Sequence, residues 1–293
     1  MRRWFFHLAK RGSLWLLALL LTGCGMRPAP LPVLSPTPTR TPTRTPVPTS
    51  TPLPTPPPCD RSSGGQVTRS SLDSALLGLT YTVSIYTPPC YGKEEGREYP
   101  VLYLLHGQGM DDTYWLSLGA AEIADELIAN GAEPFLMVLP REVNDYDPVT
   151  DDGFGASVLN ELIPWVEANY TVCTQRACRA IGGISRGGGW AVRLAARNFD
   201  VFGAVGAHSM GLMAGDWWQI QKHLETHTVD EYPRIWVDRG EDDYLYADID
   251  FFVSVLVDNG IPHEFHIWSG AHNGDYWQAH VRDYLTWYAQ GWK

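Results

Sequence analysis

Between residues 81 and 290, short apolar runs of strand-forming residues alternate with stretches of helical periodicity, and this alternation limits the fold more than any other feature. Strands covered on both faces read as continuous apolar runs, and the helices between them supply the cover. The pattern therefore predicts an α/β fold with a mainly parallel sheet and helices on both faces. Candidate strands fall at 81–86, 101–105, 135–139, 179–184, 203–207, 234–238 and 264–268. Candidate helices fall at 121–130, 158–169, 190–198, 217–227, 249–259 and 275–290. No helical pattern separates the first two strands, which are expected to pair antiparallel through a turn near residues 88–96. No internal repeat is evident.

The alternation does not extend upstream of Cys59. Residues 28–58 hold 13 Pro and 8 Thr, partly as a Thr-Pro-Thr-Arg repeat, with no apolar periodicity that could build a core. Proline holds such a chain near polyproline II at about 3.1 Å per residue, so the segment extends to about 100 Å. Before it, Arg2, Arg3, Lys10 and Arg11 precede an apolar run at 14–21, shorter than the roughly 20 residues that cross a bilayer. That arrangement reads as a signal peptide. Leu21-Thr22-Gly23-Cys24 resembles the bacterial lipoprotein box, in which small residues admit a peptidase before a cysteine that takes a diacylglycerol. The alternatives are an uncleaved anchor and an ordinary signal peptide. The expected organisation is a lipoprotein signal peptide at 1–23, a tether at 24–58 and one folded domain at 59–293, exported and held at the outer face of a bacterial membrane by lipid on Cys24.

Seven of the 22 basic residues precede Cys59, where no acid occurs, leaving 15 basic against 33 acidic in the domain. A net −18 excludes nucleic acid as a partner. Once Cys24 is lipidated, Cys59, Cys90, Cys173 and Cys178 remain, an even number in an oxidising compartment. Cys-x-x-Cys spacing is absent, which favours disulfides over zinc. Of three possible pairings, the favoured one closes a tight loop between Cys173 and Cys178 and ties Cys59 to Cys90.

The chemistry starts at Gly183-Ile184-Ser185-Arg186-Gly187, a Gly-x-Ser-x-Gly pattern at a strand-to-helix junction. Glycines there admit strained backbone and close packing, so the serine Oγ projects above the sheet. A serine nucleophile needs a base to take its proton and a carboxylate to hold that base; in this fold they follow in the order Ser, acid, His. The strand at 234–238 runs into Gly240-Glu241-Asp242-Asp243, and the last strand ends in Ser269-Gly270-Ala271-His272.

With these pieces in place, the domain resembles the esterase-D-like branch of the α/β-hydrolases, which includes feruloyl and acetylxylan esterases, formylglutathione hydrolases, enterochelin-type esterases and mycolyltransferases. The likeness runs from Tyr81-Thr82-Val83-Ser84-Ile85-Tyr86-Thr87-Pro88-Pro89 through Tyr99-Pro100-Val101-Leu102-Tyr103-Leu104-Leu105-His106-Gly107 and Glu161-Leu162-Ile163-Pro164-Trp165-Val166-Glu167 to the serine elbow, the Gly-x-x-Asp turn and Gly270-Ala271-His272. It implies Ser185 as nucleophile, His272 as general base and then acid, and Asp243 as the orienting carboxylate, with Asp242 as its competitor. It also implies an oxyanion hole from the backbone N–H groups of Gln108 and Arg186.

The other histidines are expected to be structural: His106 orients the loop backbone, His208, His263 and His266 lie on strands, and His280 lies in a helix. His223 and His227 have the i, i+4 spacing of a metal pair but no Glu-x-x-His pattern, so no metal is predicted, and no cofactor. Asp145, Asp147, Asp151 and Asp152 do not form an EF-hand, since the sixth and twelfth positions from Asp145 are Thr150 and Ala156. These acids, with Trp115, Trp217 and Trp218, either line a cleft at the carboxyl ends of the strands or belong to a solvated loop and the core. The function expected is a surface-anchored serine esterase acting on small-acyl or feruloyl esters of carbohydrates. An acyltransferase of the mycolyltransferase type and a non-catalytic glycan-binding protein are the alternatives, and the oligomeric state stays open.

Overall fold

The computed structural model describes residues 59–147, 149, 153–225, 227–228 and 231–292. Cys24, the tether, Asp151 and Asp152 lie outside them. Eight strands form one sheet: β1 (Gln66–Ser74), β2 (Leu79–Thr87), β3 (Val101–Leu105), β4 (Leu136–Pro140), β5 (Arg179–Ile184), β6 (Ala204–His208), β7 (Arg234–Asp242) and β8 (Glu264–Ala271), in the order β1-β2-β4-β3-β5-β6-β7-β8. From β4 to β8 across the sheet every pairing is parallel. The fold is the α/β-hydrolase fold, a mostly parallel eight-stranded sheet with helices on both faces.

The strand pleat sends alternate residues to opposite faces, and the core divides accordingly. Val101, Tyr103 and Leu105 pack on one face with α4 (Ile163–Asn169), α5 (Arg186–Arg197), α6 (Asp216–Leu224) and α7 (Tyr246–Asp258). Leu102 and Leu104 pack on the other with α1 (Tyr114–Ser117), α2 (Ala120–Ala129) and α8 (Gly274–Gln290). A short α3 (Gly153–Ser157) and one π-helical turn (Val158–Leu162) lead into α4.

Two expectations are corrected. β2 does not pair with β3; it pairs antiparallel with β1 on one side and with β4 on the other. The crossover from β3 through α2 returns the chain beside β2, because a helix-linked strand docks parallel to its predecessor. The connection at 88–100 therefore passes over β4, about 10 Å at the usual strand spacing. β1 was not foreseen: it is an edge strand whose only buried apolar residue is Leu72, so it carries no apolar run.

Disulfides join Cys59 to Cys90 and Cys173 to Cys178, with Cα separations of 5.7 and 5.8 Å. The first fastens the start of the domain to the segment after β2. The second closes the loop that enters β5.

Candidate active site

Ser185 sits between β5 and α5 with φ 56° and ψ −118°, a conformation that non-glycine residues rarely hold unless their surroundings impose it. Those surroundings are visible. The Ser185 N–H donates to His208 O at 2.9 Å, and Ser185 O accepts from the N–H groups of Gly189 and Gly211. A Cβ on Gly183 would stand 2.3 Å from the Gly187 carbonyl, and one on Gly187 would stand 2.4 Å from Leu105 O. Only glycine lets the elbow close this tightly. Helix α5 starts at Arg186, four residues before the expected start, because Gly187 to Gly189 have poor helix propensity and hide it.

His272 follows β8 and brings its Nε2 to 2.9 Å from Ser185 Oγ, while its Nδ1 lies 3.0 and 3.1 Å from the two oxygens of Asp243. With Nδ1–H donating to the carboxylate, the Nε2 lone pair is free to accept the serine proton. Asp243 is buried and accepts also from the Leu245 N–H at 2.8 Å. Burial pushes its carboxyl up, but the hydrogen bonds from His272 and Leu245 outweigh burial and hold it below the usual value. Asp242 is exposed, ends β7 opposite Ala271, and makes no such contact. The rings of Tyr244 and Trp277 lie 4.5 and 5.1 Å from that of His272 and fix its plane.

After β3, the Met110 N–H donates to Gly107 O at 3.2 Å, closing a turn over Gly107 to Met110. Gln108 is the second residue of that turn. Among the described residues, neither its N–H nor that of Arg186 donates a hydrogen bond, so both are open to an acceptor outside the chain. Three side chains brace this pair. Asp145 accepts from the Gly109 N–H at 2.7 Å. His106 Nε2 accepts from the Glu142 N–H at 2.9 Å, which places the proton on Nδ1 for donation to Gly107 O at 2.8 Å. The Glu142 carboxylate takes two hydrogen bonds from the Arg186 guanidinium, at 2.9 and 2.6 Å. The turn and the elbow are thereby tied to each other through one residue after β4.

The site therefore has a serine hydroxyl on a base, a base on a buried carboxylate, and two open N–H groups flanking the serine. Residues 74–288 match the family described as "Putative esterase". The chain belongs to this family. It is 34% identical over 158 residues to an endo-1,4-beta-xylanase/feruloyl esterase of Xylanibacter ruminicola, a match covering 50% of this chain and 22% of that protein. The chain spans less than a third of the length of the curated relatives it matches first. Among solved structures it resembles a ferulic acid esterase, with TM-score 0.70 and 24% identity over 78% of this chain and 99% of that one. It also resembles the feruloyl esterase module of Clostridium thermocellum in complex with sinapinate, with TM-score 0.67 and 19% identity over 81% and 92%.

One buried polar centre was not foreseen in full. Asp238, fully buried, accepts from His208 Nδ1 at 2.7 Å, Trp236 Nε1 at 2.8 Å, Tyr276 OH at 2.9 Å and Tyr284 OH at 2.8 Å. Burial and the neighbouring Asp238 charge keep both phenols protonated far beyond their usual range. This cluster fastens the end of β6 and the middle of β7 to α8, next to the elbow whose Ser185 N–H donates to His208 O. Of the two readings left open for Trp115, the structure gives the core: it is buried, donates its Nε1–H to Leu105 O at 3.0 Å and packs edge-on against His208. Asp145 is buried as well and serves the turn, whereas Trp217 and Trp218 are exposed on α6. His266 stacks on Trp236 and Trp268, His280 stacks on Trp268, and His227 lies over Phe199.

Proposed function

We propose that the protein is a serine carboxylic ester hydrolase that acts on small-acyl or feruloyl esters of carbohydrates from a lipid-anchored position outside the cell. The observation that carries the reading is the continuous hydrogen-bonded chain from Ser185 Oγ through His272 to Asp243. In the proposed mechanism Ser185 Oγ attacks the ester carbonyl carbon as its proton passes to His272 Nε2, and Asp243 stabilises the imidazolium. The carbonyl oxygen becomes an oxyanion held by the Gln108 and Arg186 N–H groups, each such donor being worth about 3 kcal/mol in the transition state. The carbon–oxygen bond to the alcohol then breaks, and His272 returns the proton to the departing oxygen. Water, deprotonated by the same Nε2, attacks the acyl-enzyme and releases the acid and Ser185.

Carbohydrate esters are favoured by the names of the relatives, a xylanase/feruloyl esterase and a ferulic acid esterase, and by the acidic domain, which repels polyanionic substrates. A small acyl group agrees with the lack of an evident lid-type insertion in the sequence. Anchoring rests on Leu21 to Cys24 and the proline-rich tether, and the two disulfides suit an oxidising compartment. The test is fluorophosphonate labelling of the wild type and Ser185→Ala, followed by hydrolysis of acetylated xylan fragments, methyl ferulate, long-chain p-nitrophenyl esters and enterobactin. Label on Ser185→Ala, or higher efficiency on long chains or on enterobactin, contradicts the reading. Mass spectrometry of the mature amino terminus finding Cys24 without lipid removes the anchoring.

A further inference from the structure

Five aromatic side chains are exposed among the described residues: Tyr146, Trp217, Trp218, Tyr244 and Tyr246, between 43% and 74% accessible. All five follow the carboxyl ends of parallel strands. Tyr146 lies in the segment after β4, Trp217 and Trp218 in the first turn of α6 after β6, and Tyr244 and Tyr246 between β7 and α7 or at its first residue. That is the end of the sheet from which Ser185 projects. Exposed aromatics scattered at random would also appear at the opposite end and on the outer faces of the helices, and among the described residues none does.

Their contacts place them around the reacting atoms. Tyr146 packs against Gly109, beside the open Gln108 N–H, with its hydroxyl 2.6 Å from where a Gly109 Cβ would stand. Tyr244 packs on His272 from the other side. Trp217 stacks on Phe251 of α7 at 4.3 Å, which joins the α6 aromatics to the β7–α7 pair. The rings thus begin next to the oxyanion turn, pass the base and continue along one flank. Exposed carboxylates sit in the same segments: Asp147 next to Tyr146, and Glu241 and Asp242 just before Tyr244.

We infer that this aromatic rim is a docking surface for a neutral oligosaccharide, the chain that carries the ester; the inference rests on the proposed carbohydrate-ester function. A pyranose ring offers an apolar C–H face to an aromatic ring and hydroxyl donors at its edge, and rings interleaved with carboxylates meet both. The Tyr and Trp side chains each pair a flat apolar body with a polar tip, which suits a wet, half-polar ligand. The same carboxylates repel polyanionic glycans and anionic lipid headgroups. The rim then makes the enzyme prefer esters on a polymer over the same ester on a single sugar.

The experiment compares kcat/KM for acetylated xylose, acetylated xylobiose and acetylated xylohexaose in the wild type, Trp218→Ala, Tyr246→Ala and the double variant. Both side chains are exposed; Tyr246 meets the triad only through its backbone N–H, which donates to Asp243 O at 3.1 Å and is kept in the alanine variant, and thermal melts verify folding. Efficiency should rise with chain length in the wild type. Each single variant should lower the xylohexaose-to-xylose ratio by about fivefold, and the double variant should flatten it. Calorimetry of unesterified xylohexaose against Ser185→Ala should give binding that the added Trp218→Ala weakens. Equal efficiency at all three lengths, with unchanged ratios in the variants, overturns the docking surface and leaves the carbohydrate-ester function standing. No hydrolysis of any sugar ester beside good hydrolysis of methyl ferulate overturns that function itself. Binding to phosphatidylcholine vesicles that Trp218→Ala abolishes, without xylohexaose binding, replaces the glycan with a lipid surface and overturns the inference.

Discussion

Gly187→Ala tests the close approach on which the site is built. The added Cβ would stand 2.4 Å from Leu105 O and 2.5 Å from His106 O, both backbone atoms of the segment that leads into the oxyanion turn. An ordinary carbon–oxygen contact is about 3.4 Å, so α5 and the end of β3 must separate by about 1 Å. That separation pulls the Arg186 N–H away from the Gln108 N–H, the two donors expected to share one oxyanion. A 1 Å misplacement of catalytic groups can cost about a hundredfold in rate. Overpacking of this kind costs about 1–3 kcal/mol of stability, or roughly 3–10 °C in Tm for a domain of this size. Gly211→Ala is the comparison: it also neighbours Ser185, but its Cβ would meet the two Leu245 methyls, at 3.2 and 4.0 Å, the far end of a flexible side chain. The assay is kcat on p-nitrophenyl acetate with a thermal melt for each variant. Gly187→Ala is expected to lose about a hundredfold in kcat, and Gly211→Ala much less. Wild-type kcat and Tm in Gly187→Ala would refute the reasoning, because the elbow would then have room that the contacts deny.

The remaining expectations concern the triad, the acid limb, the disulfides and the buried carboxylate. Ser185→Ala and His272→Ala should each remove nearly all turnover and the double variant little more, because the pair acts as a unit; additive losses would contradict this. Asp243→Asn should lower kcat far more than Asp242→Asn, since only Asp243 reaches His272; equal losses would reassign the acid. The Asp243 carboxyl is held below its unfolded value near 3.9, so its contribution to stability is complete above that pH and is lost as pH falls through the lower folded value. Chemical denaturation from pH 6 to pH 2 should therefore show a shallower acid loss in Asp243→Asn. Chain-entropy arguments give about 4 kcal/mol for the Cys59–Cys90 bridge, with a separation of 31 residues, and about 2 kcal/mol for Cys173–Cys178, with a separation of 5. Non-reducing peptide mapping should recover both pairs, and denaturation of the single bridge variants should rank them in that order. Tyr284→Phe should cost about 1–3 kcal/mol by removing one donor from buried Asp238; an unchanged urea midpoint would show that water replaces it.

How much of this could be read from the sequence depended on whether each signal was local. The parallel strands were legible because burial on both faces leaves continuous apolar runs such as Val101–Leu105, all five residues of which are buried. β1 was not, because an edge strand that exposes most of its side chains carries Ser, Thr and Arg instead. The start of α5 was displaced because its glycines answer to the backbones of Leu105 and His106 rather than to helix propensity. The serine elbow was readable for the same reason, since close approach leaves glycines at fixed offsets. The orienting role of His106 was legible from its loop motif, but the bracing by Glu142 and Asp145 gave no signal, because their partners lie 36 to 44 residues away along the chain.

The two aspartate–histidine pairs on or just after β6, β7 and β8 show where sequence order stops being sufficient. Asp238 with His208 and Asp243 with His272 make nearly the same hydrogen bond, at 2.7 and 3.0 Å. The difference lies at the other ring nitrogen. His208 Nε2 faces Tyr288 OH at 3.2 Å in a fully buried position, with three further donors already on its carboxylate. A proton on that imidazole has no reacting group to reach, so the pair can only hold strands. His272 Nε2 faces Ser185 Oγ, and its carboxylate keeps fewer competing donors, so a charge developing on this imidazole would be met chiefly by Asp243. The Asp238 centre in turn fixes His208, whose carbonyl accepts the Ser185 N–H. Asp238 holds the strands that strain Ser185 into its turn, and Asp243, five residues on, holds the His272 ring that faces Ser185 Oγ.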